Sequence, residues 1–93
     1  MGSVVVSYKI FPIDIKVDFG ELRRKIEDSL PEFASIYGFE EEPIAFGLNV
    51  LIAHIKIPED KSGVLDELER KLQEIKEISQ VQPGMVRRTS RQP

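Results

Sequence analysis

The chain has 93 residues, of which 41% are hydrophobic and 31% charged, with a formal net charge of −3 and no cysteine. This length and composition predict one globular domain with a single small core. The missing cysteine excludes thiol catalysis, disulfide bonds and cysteine-based zinc sites. The acidic balance disfavours broad nucleic-acid binding, because neutralising phosphates requires a basic face. We also expect no secretion signal and no membrane-spanning segment, since no apolar run approaches about 18 residues.

The first predicted elements are a strand and a helix. Ser3 to Phe11 is rich in β-branched residues and apolar on both faces, which is typical of a central strand, and Pro12 ends it. Asp18 and Glu21 have the spacing of a capping box, so a helix is expected to begin at Asp18. Pro31 stops this helix. Its apolar stripe contains Phe19, Leu22, Ile26 and Leu30.

Two more strands are predicted in the middle of the chain. Phe33 to Glu41 is the weaker strand, and the run Glu40-Glu41-Glu42-Pro43 breaks it. Leu48 to Ile57 is the stronger strand. The weaker strand presents Ser35, Tyr37 and Phe39 on one face and Ala34 and Ile36 on the other. The stronger strand presents Leu51, Ala53, Ile55 and Ile57 on one face and His54 and Lys56 on the other.

A second helix and a last strand complete the pattern. Pro58 to Gly63 is a loop in which Ser62 is a candidate helix cap, and the helix runs from Val64 to about Lys76. Ile78 to Met85 is a short strand, which we expect at a sheet edge because it contains Pro83. The apolar stripe of the helix contains Leu65, Leu68, Leu72 and Ile75.

The element order β-α-β-β-α-β predicts an α+β fold of the ferredoxin-like type over residues 1–88. Such a fold is a two-layer sandwich, with four antiparallel strands in one sheet and two helices on one of its faces. Residues 89–93 are expected to be a short, disordered C-terminal tail. The predicted core comprises Val4, Val6, Ile10, Leu22, Ile26, Leu51, Ile55, Leu65, Leu68 and Leu72.

Groups that could carry covalent chemistry are sparse. His54 is the only histidine, and its place in mid-strand, opposite the predicted core face, indicates a surface histidine. The carboxylates of Glu40 to Glu42 point alternately in an extended segment, which favours a solvated turn over a metal site. The chain has no glycine-rich phosphate loop, and its third strand has no aromatic residue on which RNA bases could stack. We therefore predict a binding protein without a metal or cofactor, not an enzyme.

Two segments are candidate contact sites. Glu41 to Gly47 is more apolar than a simple hairpin connection needs, and Pro43 and Gly47 constrain and free its backbone respectively. Phe46, between them, either stands out as an anchor for a partner or folds under and covers the end of the core. The second segment is basic and contains Arg87, Arg88 and Arg91, behind a body in which acidic residues predominate. It is either a contact element or a solvated terminus.

The segment Glu-Glu-Pro-Ile-Ala-Phe-Gly-Leu at residues 41–48 resembles the central motif of the archaeal elongation factor 1-beta family. It is also similar to the Pro-Ile-Gly-Phe-Gly segment of the eukaryotic exchange domain. The resemblance extends over about residues 2–88: the opening strand that closes on Pro12, the acidic cap of the first helix, and the closing Val86-Arg87-Arg88 all fit the family's layout.

The resemblance implies a guanine nucleotide exchange factor. Members of this family promote GDP release from elongation factor 1-alpha, the GTPase that carries aminoacyl-tRNA to the ribosome, and a phenylalanine of their motif docks on it. Phe46 matches that phenylalanine. By resemblance, we expect a cytoplasmic monomer that binds no nucleic acid directly and no membrane. The partner-binding residues implied are Pro43, Ile44, Ala45, Phe46, Gly47, Arg87 and Arg88.

The chain departs from the family pattern at its C-terminus. In eukaryotic members a lysine reaches toward the magnesium site of the GTPase, and Arg87 stands closest to its position, counted from Met85. The residue here is arginine, and the chain continues to Pro93. An alternative function, a small-molecule-binding regulatory module, is compatible with the same fold because fold alone does not determine function.

Overall fold

A computed structural model of the chain describes residues 2–58 and 63–88. Within these ranges, four strands form one antiparallel sheet in the order β2-β3-β1-β4, so the predicted βαββαβ ferredoxin-like fold is confirmed. Neither helix in the described ranges has the length and hydropathy of a membrane-crossing helix. The elements are β1 (Ser3–Pro12), α1 (Phe19–Ser29), β2 (Ser35–Ala45), β3 (Leu48–Pro58), α2 (Val64–Gln73) and β4 (Ile78–Arg88).

The core lies between the sheet and the two helices. Alternate residues of β1 and β3 point to this side, because successive side chains of a strand face opposite ways. Tyr8 is fully buried there, although the sequence did not predict it as a core residue. Its hydroxyl donates a hydrogen bond to Glu69 Oε2 (3.3 Å), and burial, together with the charge of Glu69, raises the pKa of Tyr8. The predicted core residues that the structure buries are Val6, Ile10, Leu22, Ile26, Leu51, Ile55, Leu68 and Leu72.

Two predicted core positions differ from the structure. Val4 is only partly buried, at the start of β1. Leu65 is 39% exposed, so its assignment to the core was wrong, and Val64 is buried in its place. The buried residues of α2 are four residues apart: Val64, Leu68 and Leu72. This spacing leaves Leu65 at the border of the apolar face. The Ser62 cap lies outside the described residues, and α2 begins directly after Gly63.

Asp18 caps α1 as predicted. Its Oδ1 atom accepts a hydrogen bond from the Gly20 N–H (2.8 Å), which satisfies one of the unpaired amides of the first turn. The helix ends at Ser29, followed by Leu30 in an extended conformation and then Pro31. Leu30 is thus the C-cap of α1, and it packs against the core from outside the helix.

β2 is longer than predicted and passes through the segment that was expected to break it. Pro43 is accommodated because β2 lies at the edge of the sheet, where a missing ladder hydrogen bond is tolerated. A β-bulge at Tyr37 shifts the register between Ile36 and Gly38. As a result Ile36 and Phe39 both pack against the core, so the predicted face shared by Ser35, Tyr37 and Phe39 was wrong.

β4 lies at the opposite edge, as its proline predicted, and extends three residues beyond Met85 to Arg88. The register against β1 shifts between Val6 and Tyr8, where Gly84 crosses close to the neighbouring backbone. A Cβ atom on Gly84 would lie 2.9 Å from the Ser7 carbonyl oxygen, so this approach requires glycine. The predicted tail, residues 89–93, lies outside the described residues.

Candidate protein-binding surface

The connection between β2 and β3 is a two-residue turn formed by Phe46 and Gly47. Ala45 and Leu48 pair directly, so the long connection expected from the sequence was wrong. Both turn residues have positive φ, 53° at Phe46 and 77° at Gly47. This is the backbone sign that a type I′ hairpin turn requires at its two central residues. The turn therefore forms the tip of a hairpin, at one end of the sheet.

Phe46 is the most exposed of the large hydrophobic residues in the described ranges. Its side chain is fully solvent-exposed. Of the two alternatives that the sequence left open, the ring therefore stands out from the surface and does not cover the end of the core. It is also the one non-glycine residue with positive φ among the described residues, a conformation that costs an ordinary side chain about 1–2 kcal/mol. Neither feature stabilises the free protein. Backbone strain of this kind is concentrated at functional sites.

The residues before the turn extend the exposed segment. Pro43, Ile44 and Ala45 are all exposed, and a register shift between Pro43 and Ala45 places a bulge at Ile44. Bulges re-aim side chains at the ends of edge strands. The five residues that the sequence singled out here therefore form one continuous accessible stretch.

Arg87 lies at the other end of the molecule. It pairs with Val5 near the start of β1, whereas the hairpin tip lies beyond Pro12 at the end of that strand. The seven-residue separation of Val5 and Pro12 corresponds to roughly 23 Å of strand. Arg87 is exposed, and Arg88 is the last residue of β4. The structure therefore does not bring the basic segment to Phe46, and Arg91 lies outside the described residues.

The three consecutive glutamates belong to β2, not to a turn, and they do not converge. Glu41 forms an ion pair with Arg23 of α1 (2.9 Å). Glu40 and Glu42 point to the opposite, helix-free face of the sheet, where Glu40 contacts His54 (3.3 Å) and Glu42 lies 3.8 Å from Lys9. The alternation predicted from an extended backbone is confirmed.

His54 is more enclosed than a surface histidine. Only 16% of its side chain is exposed. Its Nδ1 lies 2.7 Å from Ser7 Oγ and its Nε2 lies 3.3 Å from Glu40 Oε2. The ring thus joins three neighbouring strands across the helix-free face. The sequence could not show this, because the burial of a mid-strand residue depends on the neighbours that the sheet order provides.

One exposed segment at the hairpin end was missed by the sequence analysis. The connection between β1 and α1 exposes Ile13 and Ile15, at 56% and 68%. A hollow of about 230 Å³ separates this connection from the hairpin, with Ile15 on one side and Gly47 and Leu48 on the other. The available signal was two isoleucines in a predicted loop, outside any apolar stripe.

Comparisons with known proteins show the family of the chain. Residues 5–91 match the family model described as the EF-1 guanine nucleotide exchange domain. The chain is similar to elongation factor 1-beta of Staphylothermus marinus, with 41% identity across 95% of this chain and 98% of the relative. Elongation factor 1-beta of Desulfurococcus amylolyticus is 37% identical across 97% of this chain and 100% of the relative. Elongation factor 1-beta of Ignicoccus hospitalis is 32% identical across 97% and 96%.

The matches are nearly full-length in both directions and include the hairpin segment and β4. The family suggested by residues 41–48 is therefore confirmed by the whole chain. The chain belongs to the EF-1 guanine nucleotide exchange domain family.

Proposed function

We propose that this protein promotes GDP release from elongation factor 1-alpha by docking Phe46 on that GTPase. Membership of an exchange-domain family supports the activity. In this proposal the protein acts as a monomer in the cytoplasm, and it does no covalent chemistry of its own.

The main support for this docking site is the exposure and the backbone conformation of Phe46. An aromatic ring that is fully exposed on a turn with positive φ is unfavourable in the free protein in two ways. Binding removes the exposure, since a partner can bury the ring. Aromatic anchors of this kind dominate the binding energy of many interfaces.

Exchange by binding follows from thermodynamic linkage. If the factor binds the nucleotide-free GTPase more tightly than the GDP-loaded GTPase, GDP binding and factor binding weaken each other by the same ratio. Magnesium in such GTPases bridges a P-loop hydroxyl and the phosphates. A protein contact that displaces this arrangement therefore weakens the nucleotide without any bond being made or broken.

Arg87 is the proposed second contact. It lies in a sheet strand at the end opposite the hairpin tip, so the two residues would contact separate parts of the GTPase. A guanidinium group near the magnesium and phosphate site would compete electrostatically with the metal or stabilise the emptied pocket. Because both residues belong to one continuous sheet, their spacing is fixed before binding.

The test is a Phe46→Ala variant in a GDP-release assay with elongation factor 1-alpha. Loss of a central aromatic anchor should weaken binding by about 2 kcal/mol or more, which is roughly 30-fold. Tyr37→Ala is the matched control, because Tyr37 is an exposed aromatic residue of β2, the strand that leads to the turn, and lies away from the hairpin tip. It should retain wild-type exchange.

Thermal unfolding of the isolated variants completes the test. Both side chains are exposed, so neither truncation should lower the unfolding midpoint by more than a few degrees. A folded Phe46→Ala variant that drives exchange at the wild-type rate would refute the proposed docking site.

A further inference from the structure

The hairpin end carries more exposed apolar surface than the turn alone. Of the eight large apolar side chains that the described residues expose, four belong to this end. Scattered apolar residues are normal on a protein surface, but a concentration of them indicates a contact region. The four are Ile13, Ile15, Ile44 and Phe46.

The connection between β1 and α1 has a defined backbone. The Ile13 N–H donates to the Glu77 carbonyl oxygen (3.0 Å), which ties the segment to the residue before β4. Asp14 Oδ1 accepts from the Lys16 N–H (2.7 Å), and the Asp14 carbonyl oxygen accepts from the Val17 N–H (3.4 Å). Ile13 and Ile15 are therefore held in the solvent by a hydrogen-bonded turn, and little conformational entropy would be lost on binding.

This connection and the hairpin border the same hollow. Ile15 lines one side and Gly47 and Leu48 line the other, so a single protruding side chain could touch both. Asp14 and Glu41 also line the hollow, and because Glu41 is paired with Arg23, the negative charge of the hollow comes mainly from Asp14. The complementary ligand is an aliphatic side chain with a basic residue beside it.

We propose that Ile13 and Ile15 form a second half of the docking surface, which binds the same GTPase as Phe46. This inference rests on the proposed function, since the occupant of the hollow is identified by its continuity with the Phe46 contact. The hairpin tip supplies the aromatic anchor, and the β1–α1 connection supplies an aliphatic contact at the edge of the hollow. The partner surface presents an aliphatic residue next to a lysine or arginine.

The test measures the Kd of the full chain for nucleotide-free elongation factor 1-alpha. Ile15→Ser should weaken binding about fivefold, and Ile13→Ser/Ile15→Ser by more than Ile15→Ser alone. Tyr37→Ser is the matched control, because it removes a large side chain of similar exposure (60%) from another part of the surface. It should bind with the wild-type Kd. Ile15→Thr keeps the β-branched shape and serves as a second variant if Ile15→Ser lowers the unfolding midpoint.

The outcomes separate this inference from the proposed function. If Phe46→Ala weakens binding while Ile15→Ser and Ile15→Thr bind with the wild-type Kd, the second contact is refuted and the anchor stands. If neither Phe46→Ala nor the isoleucine variants change the Kd, both proposals are refuted. If Phe46→Ala and the Ile15 variants bind more weakly while Tyr37→Ser keeps the wild-type Kd, both proposals are supported.

Discussion

The two residues of the hairpin tip differ in how well they suit their backbone conformation. Type I′ turns favour asparagine and glycine, because both central residues must adopt positive φ. Gly47 meets this requirement, and Phe46 does not. A turn selected for stability alone would place a small polar residue at position 46. Packing in the free protein does not explain the phenylalanine, because its side chain is fully exposed, whereas the proposed docking contact would explain it.

Phe46→Asn should therefore separate stability from function. Asparagine tolerates positive φ, so this variant should raise the free energy of unfolding by about 0.5–1 kcal/mol. It should also lose exchange activity to the same degree as Phe46→Ala, because no ring remains. Denaturant unfolding and GDP release, measured on the same preparation, check both parts. A stability equal to or below that of the wild type would show that the turn is not strained at Phe46.

At the scale of elements, the packed face of α2 determines which leucines stabilise the protein. Leu65 and Leu68 are three residues apart, and either can belong to an apolar stripe on spacing alone. The face of α2 that packs on the sheet is centred on Val64 and Leu68, so Leu68 faces the core and Leu65 lies at its border. The same residue type thus has two different energetic roles within one turn.

Leu68→Ala should cost about 2–5 kcal/mol of unfolding free energy, because Leu68 is fully buried and the cavity would remain unfilled. Leu65→Ala should cost no more than about 1 kcal/mol, since much of that side chain is already in water. Urea titration of both variants measures the difference. Equal losses would mean that the helix packs with a different face than the structure shows.

At the scale of the whole molecule, the sheet separates the two residues that we propose as contacts. Phe46 and Arg87 lie at opposite ends of a body with extents of 42 × 24 × 19 Å. The antiparallel pairing of β4 with β1 fixes this separation, because it carries the C-terminal residues back to the start of β1. The two proposed contacts with the GTPase are therefore far apart on the molecule.

Arg87→Ala should slow GDP release by at least about fivefold and weaken its dependence on salt, since a long-range charge has been removed. Combined with Phe46→Ala, the two losses should add in free energy to within about 0.5 kcal/mol, because the sites are far apart. Arg24→Ala, which removes an exposed arginine of α1, is the charge-matched control. Release that is equally fast across ionic strength in Arg87→Ala and in the wild type would show that this arginine takes no part in exchange.

The amino-acid sequence was sufficient to predict the element order, the central position of β1, the edge position of β4 and the family. These features depend on local patterns: β-branched alternation, the Asp18 cap, the prolines, and the motif at residues 41–48. The extension of β2 through Pro43 was not predictable in this way, because proline is tolerated only where the sheet order leaves a strand at an edge.

The exposure of Phe46 and the shape of the site were not predictable from local sequence patterns. Whether an aromatic residue in a turn faces the core or the solvent depends on the length of the connection, which strand pairing sets. The same holds for Ile15, whose place across the hollow from the hairpin comes from the packing of two connections that are more than 25 residues apart in the chain. Local pattern encodes the elements, but distant pairing determines which exposed residues meet at one end.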